Sequence, residues 1–131
     1  EGCTPGFWQG GTGAELWNTS SDPDWESHCG QGTANPFKHK TLFNDFFTSH
    51  PDLNGLEMFD LVKEGGGTMA EKAARALVAA YLNASCNEIG YPFTQNELKT
   101  MWSNAVATNT DDAFEDLKNK LEEANNLGCP L

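Results

Sequence analysis

"TMAEKAARALVAAYLNAS", Thr68 to Ser85, is the stretch that decides the fold. Thr68 with Glu71 three residues later is the signature of a reciprocal helix cap, each side chain positioned to bond the other's backbone N–H. The polar residues Glu71, Lys72 and Arg75 then stop after the second turn, and Ala76 to Leu82 is apolar on every face. A helix apolar all round is one surrounded by other elements, so the stretch predicts a central helix whose alanines permit close approach.

Outward from it, the neighbouring segments also announce helices. Asn54 with Glu57 and Thr94 with Glu97 repeat the cap signature ahead of "GLEMFDLVK" and "QNELKTMWSNAVA". "KTLFNDFF" sets Leu42, Phe43, Phe46 and Phe47 on one face of a short helix, which His50-Pro51 ends because the residue before proline leaves helical space. From about 111 to 126, Phe114, Leu117, Leu121 and Ala124 form an amphipathic stripe. Asp111 and Asp112 in its first turn complement the helix dipole, and Asp116 to Lys120 is a supporting pair. Gly65-Gly66-Gly67 reads as a chain reversal; no Gly-Lys-Ser/Thr follows it, so it is not a phosphate loop.

Residues 1 to about 40 look different. They are rich in Gly, Pro, Ser, Thr and Asn, hold three of the four tryptophans, and keep no helical or strand period. "GAELW" (13–17) predicts one short turn, broken by "TSSDPDW" (19–25), and the rest is expected to be loop. The predicted architecture is therefore a single all-α domain over 1–131: a loop-rich aromatic arm, 1–40, wrapped over a compact bundle of five or six helices, 41–131.

Composition narrows the function classes. A chain of 131 residues buries roughly two-thirds of its unfolded surface as one core. Eight basic against 19 acidic residues give a net charge of −11, whose averaged field repels phosphate backbones and anionic lipids, so no nucleic-acid partner is expected. The longest apolar run, Ala76 to Leu82, is far below the roughly 20 residues of a membrane span. A start at Glu1 with no basic and apolar leader is as expected after removal of a secretory signal.

Cys3, Cys29, Cys86 and Cys129 contain no Cys-x-x-Cys, which argues against a zinc ribbon, thioredoxin chemistry or attached haem. Two disulfides are expected, in any of three pairings. Asn18-Thr19-Ser20 and Asn83-Ala84-Ser85 are N-glycan acceptor patterns; Asn18 is expected to be accessible and Asn83 to lie near the buried end of the central helix.

No catalytic constellation stands out. His28, His39 and His50 lack His-Glu-x-x-His spacing and read as surface or capping residues, and no Gly-x-Ser-x-Gly elbow is present. "SSDPDWE", with Asp22, Asp24 and Glu26, lacks the glycine and terminal glutamate of a calcium loop and reads as a solvated turn. No metal and no cofactor are expected. Phe7 and Trp8, beside a cysteine, read as plugs on the open side of the core. Trp17, Trp25 and Phe37 are the candidates for an exposed aromatic surface that stacks on a sugar, a protein partner or a neighbouring copy.

"GCTPGFW" (2–8), the glycine turn, "ARALVAAYLNA", Tyr91-Pro92 and "NLGCPL" (126–131) together resemble a family of secreted or surface-displayed microbial domains with that opening and close. The resemblance spans nearly the whole chain. It implies an extracellular module, without an assigned activity, and a bond between Cys3 and Cys129, with Cys29 and Cys86 additional to that pair and bonded to each other. Phe7, Trp8, Leu127 and Leu131 are then expected to pack around the terminal bridge and exclude reductant. One departure is Gln9-Gly10-Gly11, where the family continues Lys-Asn-His; any role of that basic pair is missing here. The expected role is a secreted, non-enzymatic structural or adhesive module of a surface, sheath or fibre, self-associating or bound to other surface proteins. The alternatives are a carbohydrate-binding module and, third, a small secreted hydrolase.

Overall fold

The architecture is taken from a computed structural model, which describes residues 1–18, 23–64 and 66–131. Among them are eight α-helices: α1 (Pro5–Gln9), α2 (Gly11–Leu16), α3 (Pro23–Cys29), α4 (Phe43–Phe46), α5 (Met58–Lys63), α6 (Met69–Ser85), α7 (Gln95–Thr108) and α8 (Asp111–Asn125). A 3-10 turn, Pro51–Leu53, follows α4. The described residues hold no named strand, only the isolated antiparallel bridges Gly2 with Gly128 and Leu42 with Glu57. The all-α class is as read, and the chain is stapled by two disulfides, Cys3–Cys129 and Cys29–Cys86. None of these helices is long and apolar enough to cross a membrane.

α6 is the central helix. Thr68 Oγ1 accepts from Glu71 N at 3.2 Å while Thr68 N donates to the Glu71 carboxylate at 3.2 Å, so two otherwise orphaned donors are satisfied. Ala73, Ala74, Leu77, Val78, Ala79, Ala80 and Leu82 have no exposed surface. The small side chains let α8, α5, α7 and α1 all pack against the one rod. α7 carries the same reciprocal cap, Thr94 with Glu97 at 2.9 and 3.1 Å. Gly67 closes the turn before α6 at φ +94°, a backbone state costly for a residue with a Cβ. Gly65 lies outside the described residues.

Two boundaries differ from the reading. The cap of α5 is Glu57 with Asp60, not Asn54 with Glu57: Glu57 N donates to Asp60 Oδ2 at 3.0 Å. Residues 51–53 have already closed a 3-10 turn, and Leu56 is held extended because its carbonyl accepts from Phe43 N at 3.0 Å. α4 ends at Phe46, with Phe43 and Phe47 buried but Leu42 exposed, so the apolar face is narrower than four residues.

The larger correction concerns residues 1–40, which are expected to be loop and contain three short helices. Thr4 caps α1, its Oγ1 accepting from Phe7 N at 3.3 Å, and Pro5 occupies the first turn, where its missing N–H is no loss. Gly13 is in α2 not to break it but to let it approach α1: a Cβ there would stand 2.0 Å from Phe7 O. Composition counted these glycines as loop, whereas close helix contact requires them.

Candidate functional site

The aromatic candidates do not form a surface. Trp17 and Trp25 are fully buried and Phe37 is 4 % exposed, so the expectation that they stack on a partner is overturned. The helical core has an open side that large rings must fill, and these rings fill it. Trp25 stacks on Trp8 with centroids 5.9 Å apart, Trp17 meets Phe37 edge-on at 5.8 Å, and Phe37 stacks on Tyr81 of α6 at 5.8 Å. The arm is thus part of one aromatic core. Trp17 Nε1 donates to Trp8 O at 2.9 Å, while Trp25 Nε1 is buried with no hydrogen-bond partner among the described residues.

At the C-terminal end of α6 the chain ties its two ends to its centre. Asn83 is fully buried. Its Oδ1 accepts from Cys3 N and from Trp8 Nε1, both at 3.0 Å; its Nδ2 donates to Cys3 O at 2.8 Å and to Asn125 Oδ1 at 3.1 Å. Asn125, also buried, accepts from the Tyr91 hydroxyl at 2.7 Å and donates from Nδ2 to Ala76 O at 3.1 Å. Burial raises the Tyr91 phenol above its ordinary value, so it stays a donor. Three residues past Asn83, Cys86 caps α6 and bonds Cys29, while Cys3, held by Asn83, bonds Cys129. The shielding expected of the terminal bridge is one-sided: Cys3 and Trp8 are buried, but Cys129 and Leu127 are exposed.

Of the two glycan acceptors, Asn18 is exposed and Asn83 is not. Thr19 and Ser20 of the first pattern lie outside the described residues, as does Asp22 of the acidic turn; Asp24 and Glu26 sit in the first turn of α3. Among the described residues no group of three His, Cys, Asp or Glu is placed to hold a metal ion.

The histidines have structural partners. His50 Nδ1 accepts from Asp52 N at 3.1 Å, capping the 3-10 turn, so Nε2 carries the proton donated to Asn109 Oδ1 at 2.8 Å. His39 Nε2 donates to Ala14 O at 2.7 Å, and its ring stacks on Phe59 with centroids 4.0 Å apart. Burial, with the nearby Lys63 charge, holds His39 below its ordinary value despite that carbonyl. His28 lies on α3 with Nδ1 3.0 Å from Asp24 O.

Beside the Asn125 hub opens a cleft of about 400 Å³ between residues 4–6, α6 and α8. Lys72 and Arg75 line it from α6, Lys118 and Glu122 from α8. Lys118 Nζ is 2.8 Å from Glu122 Oε1. Neither this cleft nor the buried role of Asn125 is visible in the sequence. The spacing of Lys72 and Arg75 on one helical face is visible in sequence, but Lys118 reaches them only through the packing of α8 on α6. No protein-family model matches the chain, and no curated protein or solved structure is significantly similar to it.

Proposed function

We propose that the chain is a secreted, non-enzymatic structural or adhesive module of an extracellular surface, sheath or fibre. The observation that carries this reading is the closure of residues 2 and 3 onto 128 and 129: Gly2 N donates to Gly128 O at 3.0 Å beside the Cys3–Cys129 bond. Residues 2–3 and 128–129 therefore meet at one pole, as would suit a bead carried on a larger surface protein. Two disulfides belong to the chemistry of an oxidising compartment. The likeness of both ends to secreted surface domains agrees with that location, and the histidines are engaged in caps and packing rather than facing one another across a cleft.

With Trp17, Trp25 and Phe37 buried, these three rings offer no platform for stacking on a sugar. In this reading, contacts between copies use faces other than these rings. Immunolabelling of intact, unpermeabilised source cells is expected to find the chain outside, and sedimentation of the surface extract to find it attached to or assembled into larger particles. A cytosolic chain with four free thiols would overturn the reading, as would turnover of glycosidic or ester substrates by the purified protein.

A further inference from the structure

We infer that the cleft between residues 4–6, α6 and α8 is a binding site for a small carboxylate ligand, with Arg75 as its principal contact. In a chain of net charge −11, three of the eight basic residues converge on this one cleft. Three of the other long cations have intramolecular work: Lys63 lies over the Phe59 ring at 5.0 Å, Lys99 over Phe46 at 4.7 Å and Lys120 over Phe93 at 5.5 Å. Within the cleft the single carboxylate, Glu122, is engaged by Lys118 at 2.8 Å. Lys72 and Arg75 are left without a salt-bridge partner among the described residues, although both are half-buried.

Arg75 adds a second, independent observation. Its Nε is cut off from solvent and has no hydrogen-bond partner among the described residues. A buried donor left unpaired is destabilising, the more so on a charged group. Lys72 and Arg75 are three residues apart on α6 and so lie on the same face. The guanidinium is a planar fork matched to a planar carboxylate, which bonds it through two parallel N–H groups, while an ammonium offers only a point charge. The space, about 400 Å³, is that of a small organic ligand. No aromatic ring lines it, so recognition there falls to charge and hydrogen bonds.

A carboxylate can arrive as the acid group of a sugar acid or as a free small organic acid. Titration of the intact, disulfide-bonded, ¹⁵N-labelled protein with glucuronate, acetate, glucose and sodium chloride separates these. Glucuronate or acetate is expected to shift the Gly6, Lys72 and Arg75 amides saturably, with a dissociation constant in the roughly millimolar range, and glucose and chloride are not. Tighter binding of glucuronate marks a sugar acid as the source; equal binding marks a free acid. Arg75→Ala should weaken binding at least roughly tenfold. Arg75→Lys should fall between it and the parent because the fork is lost. Lys72→Glu supplies a variant that reverses charge without emptying the buried Nε position, and it too should weaken binding. Lys99→Ala, outside the cleft, should bind as the parent does. Absence of saturable shifts, equal shifts with glucose, or unchanged binding by a folded Arg75→Ala or Lys72→Glu protein would each overturn the site. None of these outcomes bears on where the protein resides, so the site stands or falls separately from the proposed role.

Discussion

Asn83 and Asn125 share a hydrogen bond of 3.1 Å, and through it the end of α6, the end of α8 and the N-terminal segment are joined in one buried network. Each side-chain amide nitrogen and oxygen of the pair has at least one partner, and the partners include both backbone groups of Cys3. A connected polar network inside a core favours one arrangement, because any slip leaves several groups unpaired at once.

Asn83→Ala removes the partners of Cys3 N, Cys3 O and Trp8 Nε1 together. The expected loss is about 3–5 kcal/mol in denaturant unfolding, near the upper range for one substitution. Asn104→Ala, on the exposed face of α7, should cost about 0.5 kcal/mol or less. Similar costs for the two would show the network to be dispensable.

Trp8 and Trp25 are both fully buried and stacked on one another, yet only Trp8 uses its indole N–H. Trp8→Phe should therefore be costlier than Trp25→Phe, by about 1–2 kcal/mol. Paired thermal melts of the two variants decide it, and the reverse order would contradict the assigned hydrogen bonds.

The two disulfides should differ in strength and in access. The bonds span sequence separations of 126 and 57, which the chain-entropy model converts to about 5 and about 4 kcal/mol. Replacing Cys3 and Cys129 by Ser should lower Tm more than replacing Cys29 and Cys86. Under mild reductant, however, the Cys3–Cys129 bond should open first, since Cys129 is exposed while Cys29 and Cys86 are buried. Differential alkylation followed by peptide mapping reads the order; early labelling at Cys29 and Cys86 would be the contrary result.

His39 makes the fold sensitive to mild acid. Its folded pKa lies below the ordinary 6.5, so the unfolded chain binds the proton more readily. Its contribution is complete above pH 6.5 and is lost as pH falls from that value through the lower folded value. Tm should decline on acidification across this window. His39→Gln keeps a donor for Ala14 O and should flatten the slope. An unchanged slope in that variant would remove His39 as the cause.

For glycosylation, the folded protein offers Asn18 and withholds Asn83, whose amide nitrogen already bonds Cys3 O and Asn125 Oδ1. Peptide mass mapping from a glycosylating source should find glycan on Asn18 alone. Occupancy of Asn83 in folded material would be incompatible with the network.

What sequence conveyed well were α6, α7 and α8, where a reciprocal cap or an acidic first turn coincides with a sustained apolar period. Those signals are local, and helices of 14 to 17 residues are long enough to display them. The helices α1 to α3 have five to seven residues, too short to be stable alone, and exist because Trp8, Trp17 and Trp25 dock into the core. Even so, Thr4-Pro5 carried a readable start signal that glycine content masked. The cationic cleft was illegible for another reason: Lys72 and Arg75 meet Lys118 only once α6 and α8 have packed.

The closed pole also sets how the domain would respond to a pull. Tension applied through segments flanking residues 3 and 129 passes across one sulfur–sulfur bond, because Cys3 and Cys129 have Cα atoms only 4.5 Å apart. The chain between them, with its helices, is mechanically bypassed and adds almost no extensible length while the bond is intact. Reduction of the exposed Cys129 side would place the same pull on the Gly2–Gly128 hydrogen bond and then on the Asn83 network. A thread of such beads would be stiff in an oxidising medium and extensible in a reducing one.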